Sequence, residues 1–291
     1  MPPKVSILTT VFNRAHLITE TVESLLASRF EDFEALIVDD CSTDASWSVI
    51  QNLVRRDARL AAHQNASNLG DYANRAKAVS LARGGLIKFL DADDLIYPHG
   101  LGIMVDAMDR YPEAALALSH SAPELERPYP VLLSPGEVFR RQFLGRGALS
   151  CGPSGAIFRR EAFDSVGGFR DWGVLSDIDL WQRLAARWPV VLLPPALVWW
   201  RRHEGQEYTK GNADYVYLAR GFALSKETLE SDECPLPSGD RHLALARARR
   251  HHARRLISHA VKGGHPAQAL RLAMEAGLSA HDFLGGLRSY R

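Results

Sequence analysis

The chain is poor in cysteine. Cys41, Cys151 and Cys234 are too few and too scattered in 291 residues for a disulfide framework or a zinc cluster. That scarcity points to a reduced, intracellular setting. An excess of one charge is also missing. With 35 Lys and Arg against 34 Asp and Glu, the formal net charge is +1, so global charge predicts neither a nucleic-acid nor an acidic partner. No apolar run is long enough for a membrane span. The longest, Val190–Trp200, is about half a span and contains Pro194 and Pro195. The first ten residues hold only a short apolar stretch that reads as a strand, so no secretory leader is expected. Low complexity is absent, and 46% hydrophobic with 24% charged residues is ordinary globular usage. The length fits one large domain or one domain with an appendage.

What is present is an alternation. Val5–Thr10 is a β-branched run ended by the polar loop Phe12-Asn13-Arg14. Leu17, Ile18, Val22, Leu25 and Leu26 then recur at helical spacing. Ala35–Val38 reads as a buried strand that stops at Asp39-Asp40, and Ser42-Thr43-Asp44 offers capping chemistry for a helix through Leu53. A helix from Tyr72 to Arg83 ends at Gly84-Gly85, and the strand Leu86–Leu90 runs into Asp91-Ala92-Asp93-Asp94. Strands alternating with helices predict βαβ units and a mostly parallel sheet flanked by helices. Farther on, strands are expected at 114–119 and 156–158, and helices at 135–144 and 177–188. Val190–Trp200 reads as extended. Beyond about Asp214 the pattern is helical to the end. These shifts divide the chain into 1–212, with halves 1–110 and 111–212, and a helical extension 213–291.

Open α/β sheets bind ligands beyond the carboxyl ends of their strands, and two such ends here carry carboxylates. Asp91, Asp93 and Asp94 on one tight strand end repel one another, a cost that a divalent cation relieves. Mg²⁺ or Mn²⁺ takes one or two protein carboxylates and fills its shell with water and phosphate oxygens, so the cluster suits a diphosphate. Asp44 reads instead as a capping residue. A P-loop and a G-x-G-x-x-G fingerprint are both absent, which leaves a metal-dependent enzyme holding a nucleotide diphosphate without a glycine-rich loop.

VSILTTVFNR, ALIVDDCSTD and LARGGLIKFLDADD, in that order, resemble the inverting family 2 glycosyltransferases with the GT-A fold. The resemblance continues through GGFRDWGVLSDIDLWQRLA and WWRRHEGQ, over roughly residues 4–205. It implies a Rossmann-like nucleotide-binding half and transfer of a sugar from a nucleoside diphosphate, with UDP the expected carrier and GDP and dTDP the alternatives. By the same resemblance Thr10 and Phe12, with Arg14 nearby, match the loop packed on the base, and Asp40, with Asp39 beside it, matches the carboxylate that binds the base. Arg75 matches a basic residue holding the nucleotide, and Asp91 the ribose-side residue. Asp93 matches the metal ligand, His203 a loop closing over the diphosphate and a second metal ligand, and Asp177 the general base. The implied acceptor is a glycan or glycolipid, in polysaccharide or glycan assembly.

Three departures stand out. Cys41 occupies a position where glycine is common, Ala76 one where asparagine is frequent, and Ser176 the place of the usual glutamate before Asp177. Asp179 competes with Asp177, but two residues along a helix rotate a side chain by about 200°. Asp179 is therefore expected on another face, paired with Arg183. Trp181 and Trp188 read as core or groove-lining. One of Trp199 and Trp200 is expected to be buried by strand alternation, and the other could stack an acceptor. Arg201 and Arg202 read either as phosphate clamps or as solvated charges. Between Asp240 and Glu275 the chain is basic and helical, which fits a packed hairpin or a peripheral contact with a membrane's inner face or a protein partner. No nucleic-acid motif accompanies the charge. A nucleotidyltransferase and a catalytically silent nucleotide-binding module are the rival readings.

Overall fold

The computed structural model describes residues 1–119, 124, 126–203, 206 and 215–288. They form two compact units: residues 1–135 with 148–202, and residues 136–147 with the chain from 203 onward.

The first unit is built on a sheet in the order β3-β2-β1-β4-β8-β6-β9-β7. Its strands are β1 (Val5–Val11), β2 (Phe33–Asp39), β3 (Leu60–Gln64), β4 (Leu86–Phe89), β6 (Leu116–Ser119), β7 (Val131–Leu133), β8 (Ala156–Arg159) and β9 (Val190–Leu193). All but β7 and β8 run in one direction. A separate antiparallel pair joins β5 (Leu95–Ile96) to β10 (Val198–Trp199). The helices are α1 (Ile18–Leu26), α2 (Ser46–Leu53), α3 (Asp71–Leu81), α4 (Gly100–Arg110), α6 (Arg160–Ser165) and α7 (Ser176–Arg187). The mostly parallel α/β architecture expected from the alternation is the one found.

Alternation along the strands sorts the two sheet faces. Val5, Ile7 and Val11 of β1 and Phe33, Ala35 and Ile37 of β2 share one core with Ile18, Val22 and Leu25 of α1, Ile50 and Leu53 of α2, and Met104 of α4. Helix α3 packs on β1 and β2 as well. Intervening positions carry a polar lock. The Ser6 hydroxyl donates to Glu34 at 2.6 Å, and Glu34 accepts the Arg83 amide at 2.7 Å. The Gly84 amide donates to the Ser6 hydroxyl at 2.7 Å. A Cβ on Gly84 would sit 2.6 Å from the Ser6 nitrogen, so only glycine lets α3 turn into β4 here.

Two features were not legible. Strand β3 reads Leu-Ala-Ala-His-Gln, without β-branched residues, and is a strand because it pairs with β2 from Ala35↔Leu60 to Asp39↔Gln64. Val190–Trp200 is two separate strands, broken at Pro194-Pro195, that belong to different sheets. Among the described residues no helix is long and apolar enough to cross a membrane.

The second unit is helical. It takes residues 136–144 of α5 (Pro135–Leu144), then α8 (Val216–Glu230), α9 (Ser238–Val261), α10 (Pro266–Glu275) and α11 (Ala280–Arg288), with α9 packed against α8, α10 and α11. One core cluster is formed by Leu218, Leu256, Ala269, Leu272 and Ala273, and Phe222, Leu224, Leu229 and Ala253 are buried as well. Ser279 and Asp282 make a reciprocal capping box. The Ser279 amide donates to Asp282 at 2.8 Å, and the Asp282 amide donates back to the Ser279 hydroxyl at 3.4 Å. Arg249 of α9 adds two donors to the same carboxylate, the closer at 2.9 Å.

Burial raises the Asp282 pKa, but the Arg249 guanidinium and the Ser279 amide and hydroxyl outweigh it and hold the carboxyl at about 2. Its folded value lies below the unfolded one of about 3.9, so the stabilisation is complete above that value and lost as pH falls toward 2. Replacing Asp282 by Asn is expected to cost roughly 2 kcal/mol near neutral pH. The difference from the parent should vanish in chemical denaturation repeated at pH about 2.

Candidate active site

Parallel pairing sets three strand ends side by side. Val11 of β1 is in register with Asp39 of β2, and Leu8 of β1 with Phe89 of β4. The Leu90 amide donates to the Leu8 carbonyl at 3.0 Å, extending the ladder up to Asp91. The loops 12–14, 40–44 and 91–94 therefore leave one edge of the sheet together. The sequence could place each at a strand end; the shared edge comes from the register.

The first two loops are laced together. Asn13, at φ 54°, accepts the Thr43 amide at 2.8 Å through its side chain, and its own amide donates to the Ser42 hydroxyl at 2.9 Å. The Arg14 amide donates to the Ser46 hydroxyl at 2.8 Å. Cys41 has φ 59°, the left-handed region that explains why glycine suits this position. Asp44 accepts the Ser46 amide at 2.8 Å, the capping behaviour expected of it. Phe12 is left 44% exposed above this loop pair, and Thr10 is half-buried.

Asp39 and Asp40 do different things. Asp40 accepts the Asn65 side-chain amide at 2.8 Å and the Leu69 and Gly70 amides, each at 2.9 Å. Its carboxylate thereby anchors the loop entering α3. Asn74, unremarked in the sequence, completes the anchor: it accepts from Asn65 at 2.9 Å and donates to the Val38 carbonyl at 3.2 Å. Asp39 uses one oxygen, accepting the Ser42 amide and the Gln64 side chain at 3.1 Å each. Its Oδ1 is buried with no hydrogen-bond partner, an exception to the rule that buried acceptors are satisfied.

Arginines balance the third loop. Arg75 of α3, almost fully buried, bonds Asp71 and Asp91 at 2.8 Å each and lies over the Phe89 ring. Burial alone would lower its pKa, but the two carboxylates raise it well above normal, so it stays charged. Arg14 Nε lies 3.5 Å from Asp93, tying the first loop to the third. Arg201 follows β10. Its amide donates to Asp94 at 3.1 Å, its side chain to the Asp93 carbonyl at 2.8 Å and to Glu20 at 2.6 Å. This residue braces the acidic loop. Asp94 is buried; desolvation, then the charge of Asp91, raises its pKa well above the carboxylate range.

Lys88 was missed by sequence reading. It is fully buried in β4, and its ammonium donates to the Phe89 and Ser154 carbonyls. Burial pushes it down to about 8, against the pull of Cys151, Asp91 and Asp94. The Ser154 hydroxyl accepts the Asp91 amide at 2.9 Å, so Lys88 and Ser154 clamp the acidic loop from below. The only signal was a lysine in the middle of an apolar strand.

Helix α7 brings the remaining carboxylates. Asp177, 8% exposed in the first turn, is pushed up to about 7 by burial; the Ile178 amide and Arg75 pull it down, and Asp71 and Asp91 push it up. Those couplings bring Asp177 within electrostatic reach of Asp71, Arg75 and Asp91. Asp179 faces elsewhere, as expected, and bonds Arg170 at 3.0 Å and Arg183 at 2.9 Å. Arg183 also donates to the Val166 and Gly168 carbonyls, which holds the Gly167-Gly168 turn. Ser176 is buried and caps locally, donating to the Gly173 carbonyl at 2.8 Å and accepting the Trp172 amide at 3.0 Å.

Trp181 is core, its indole N–H donating to the Cys151 carbonyl at 2.9 Å. The expectation that one of Trp199 and Trp200 is buried fails. Both are 43% exposed: β10, which among the described residues pairs with β5, ends at Trp199, so no strand alternation reaches Trp200. Arg201 and Arg202 stack on Trp199 and Trp200 respectively. His203 belongs to the second unit, where its amide lies 3.3 Å from the Gln206 side-chain oxygen. Residues 204, 205 and 207–214, to which the expected closure over the diphosphate would extend, lie outside the described residues.

Among the described residues no three His, Cys, Asp or Glu side chains form a ready cage for a metal ion. The hard carboxylate oxygens and the raised Asp94 nevertheless suit a divalent cation of the kind that takes one protein carboxylate and completes its shell with phosphate and water.

The model of glycosyl transferase family 2 matches residues 6–167, which spans all three loops. A Campylobacter jejuni GalNAc(5)-diNAcBac-PP-undecaprenol β-1,3-glucosyltransferase is 32% identical over 104 residues, covering 35% of this chain and 34% of that protein. Of eight curated relatives, seven are matched over only 13% to 38% of their length and MT1568 of Mycobacterium tuberculosis over 70%. S. aureus TarS in complex with UDP-GlcNAc superposes with a TM-score of 0.66 at 21% identity, over 86% of this chain and 72% of that one. The mannosyltransferase PcManGT of Pyrobaculum calidifontis, in complex with GDP-Man and Mn²⁺, gives 0.63 at 18% identity, over 100% and 89%. With the family model covering more than half of the chain and the sheet following the GT-A pattern, the protein belongs to glycosyl transferase family 2.

Proposed function

We propose that the chain transfers a sugar from a nucleoside diphosphate donor, UDP in the first instance, to an acceptor hydroxyl with inversion at the anomeric carbon. The observation that carries the reading is the shared sheet edge. It holds an exposed aromatic at Phe12, an unpartnered buried oxygen on Asp39, an acidic loop at 91–94, and a buried carboxylate at Asp177 coupled to that loop.

Each residue has a task on this reading. Phe12 packs on the base with Thr10 beside it. Asp39 accepts a base N–H, because its Oδ1 is the oxygen with capacity to spare, while Asp40 holds the loop at Leu69-Gly70. Asp91 accepts ribose hydroxyls, and Arg75 holds its carboxylate in place. Asp93 is the residue that would hold Mg²⁺ or Mn²⁺; His203 as a second ligand rests on the sequence resemblance alone. A bound divalent cation supplies charge to offset that developing on the departing diphosphate. Asp177 removes the acceptor proton as the hydroxyl attacks from the face opposite the leaving group. Trp199 and Trp200 offer exposed rings for stacking an acceptor sugar, and the C. jejuni relative makes a glycan carried on a polyprenyl diphosphate the first acceptor class to try.

The experiment is incubation of the full chain with UDP-, GDP- and dTDP-sugars, Mn²⁺ and lipid-linked or free glycan acceptors. Release of nucleoside diphosphate with retention of the sugar on the acceptor is expected. Pyrophosphate release would identify a nucleotidyltransferase, and tight binding without turnover a silent module. Asp177→Asn should lower kcat by about 10²–10⁴-fold with little change in donor affinity. If Asp179→Asn behaves that way instead, the base is misassigned.

The pH profile gives an independent reading. The base works ionised, and burial sets Asp177 at about 7, so kcat/KM should fall as pH is lowered through about 7. That acidic limb should be missing from the residual activity of Asp177→Asn. Asp93→Asn should abolish the Mn²⁺-dependent part of nucleotide affinity in calorimetry while leaving the melting transition in place; unchanged affinity rejects Asp93 as the ligand.

A further inference from the structure

The second unit holds a cavity of about 460 Å³, within the range of small-ligand sites, lined by Tyr215, Tyr217, Arg255, Ser258, His259 and Lys262. Its floor is one stripe of α9. Arg255, Ser258, His259 and Lys262 stand at i, i+3, i+4 and i+7 and so share a face. Tyr215, at φ 57°, closes one side: its ring lies 4.3 Å from that of His259, and its hydroxyl 3.2 Å from the His265 ring nitrogen.

Charge sets this cavity apart. From Arg241 to Met274 the chain has eight Lys or Arg and no Asp or Glu. Several of these cations have partners. Arg249 bonds Asp282, Arg241 the Cys234 carbonyl, Arg247 the Leu144 and Gly145 carbonyls, and Arg271 Glu275. Among the described residues Arg255 reaches the Tyr217 carbonyl, at 3.4 Å, and neither it nor Lys262 makes an ion pair. Burial lowers the Arg255 pKa, and no carboxylate offsets that cost. An arginine fork, an ammonium, a serine hydroxyl and tyrosines around one opening form a donor set for phosphate oxygens.

We propose that this cavity is a second anion site, separate from the donor site, that takes the phosphate or diphosphate of a ligand held between Arg255 and Lys262. The volume leaves room for the group that carries the phosphate. Val261, Leu270 and Met274 of the same unit are exposed apolar residues, so a lipid headgroup is one source of that phosphate and a free phosphorylated ligand the other.

Isothermal titration of the full chain with inorganic pyrophosphate in EDTA keeps any divalent-dependent donor site silent. Co-sedimentation with phosphatidylglycerol and with phosphatidylcholine vesicles is the second arm. Binding in either arm should weaken by about tenfold or more in Arg255→Gln and in Lys262→Glu, as loss of a charge-assisted contact implies. Lys262 is exposed at the helix end, so its variant keeps the fold if Arg255→Gln does not, with circular dichroism as the check. Arg271→Gln removes a charge from the same unit outside the cavity and should change nothing. Pyrophosphate binding alone assigns a free phosphorylated ligand; added binding to phosphatidylglycerol but not phosphatidylcholine assigns a headgroup. Absence of binding in both arms, or equal weakening in Arg271→Gln, overturns the proposal.

Discussion

Parallel pairing of β1 between β2 and β4 is the constraint on which the candidate site depends. Because the three strands run together, with Val11 opposite Asp39 and the Leu90 amide on Leu8, their carboxyl ends open on one edge. Hydrophobic alternation holds that register. A slip of one residue would turn Val5, Ile7, Phe33 and Ile37 out of the core shared with α1 and α2. The core thus positions the acidic loops, and Ala92 of the 91–94 loop is itself part of it.

Concentrating carboxylates at one edge costs electrostatic energy, and the fold meets it in two ways. Arg75, Arg14 and Arg201 each reach the 91–94 loop from a different part of the chain: α3, the loop after β1, and the segment after β10. Lys88 does the same from beneath through carbonyls, not carboxylates. Burial first, and the neighbouring carboxylates after it, leave Asp94 and Asp177 with raised values. Active sites keep such residual stress because ligands relieve it, and the buried Asp39 oxygen without a partner is a further instance.

The helical unit follows a different economy. Beside its apolar core, polar contacts such as Arg249 with Asp282 tie its helices together. A chain stretch with no acidic residue over more than one long helix leaves cations that internal pairing does not use up. Arg255 and Lys262 are the pair that fall in a cavity.

Much of this protein was determined by sequence alone. The period-two strands, the strand-end aspartates and their fixed order specified the α/β class, the loops at the strand ends and the family, because these signals are local. The separation of Asp177 from Asp179 was legible too, since helix geometry rotates neighbours apart, and Arg183 at i+4 stood ready for Asp179. Tertiary structure decided the rest. Strand β3 exists through its partner β2, not its composition. The division of labour between Asp39 and Asp40 depends on Asn65, Leu69 and Gly70, which approach from about 30 residues away by chain folding. Lys88 became a clamp only when Ser154 was brought beneath the acidic loop, and Trp199 and Trp200 are both exposed where the short strand β10 pairs with β5 and then ends. Each of these outcomes turns on which distant backbone groups arrive to be paired, a quantity that no local pattern encodes.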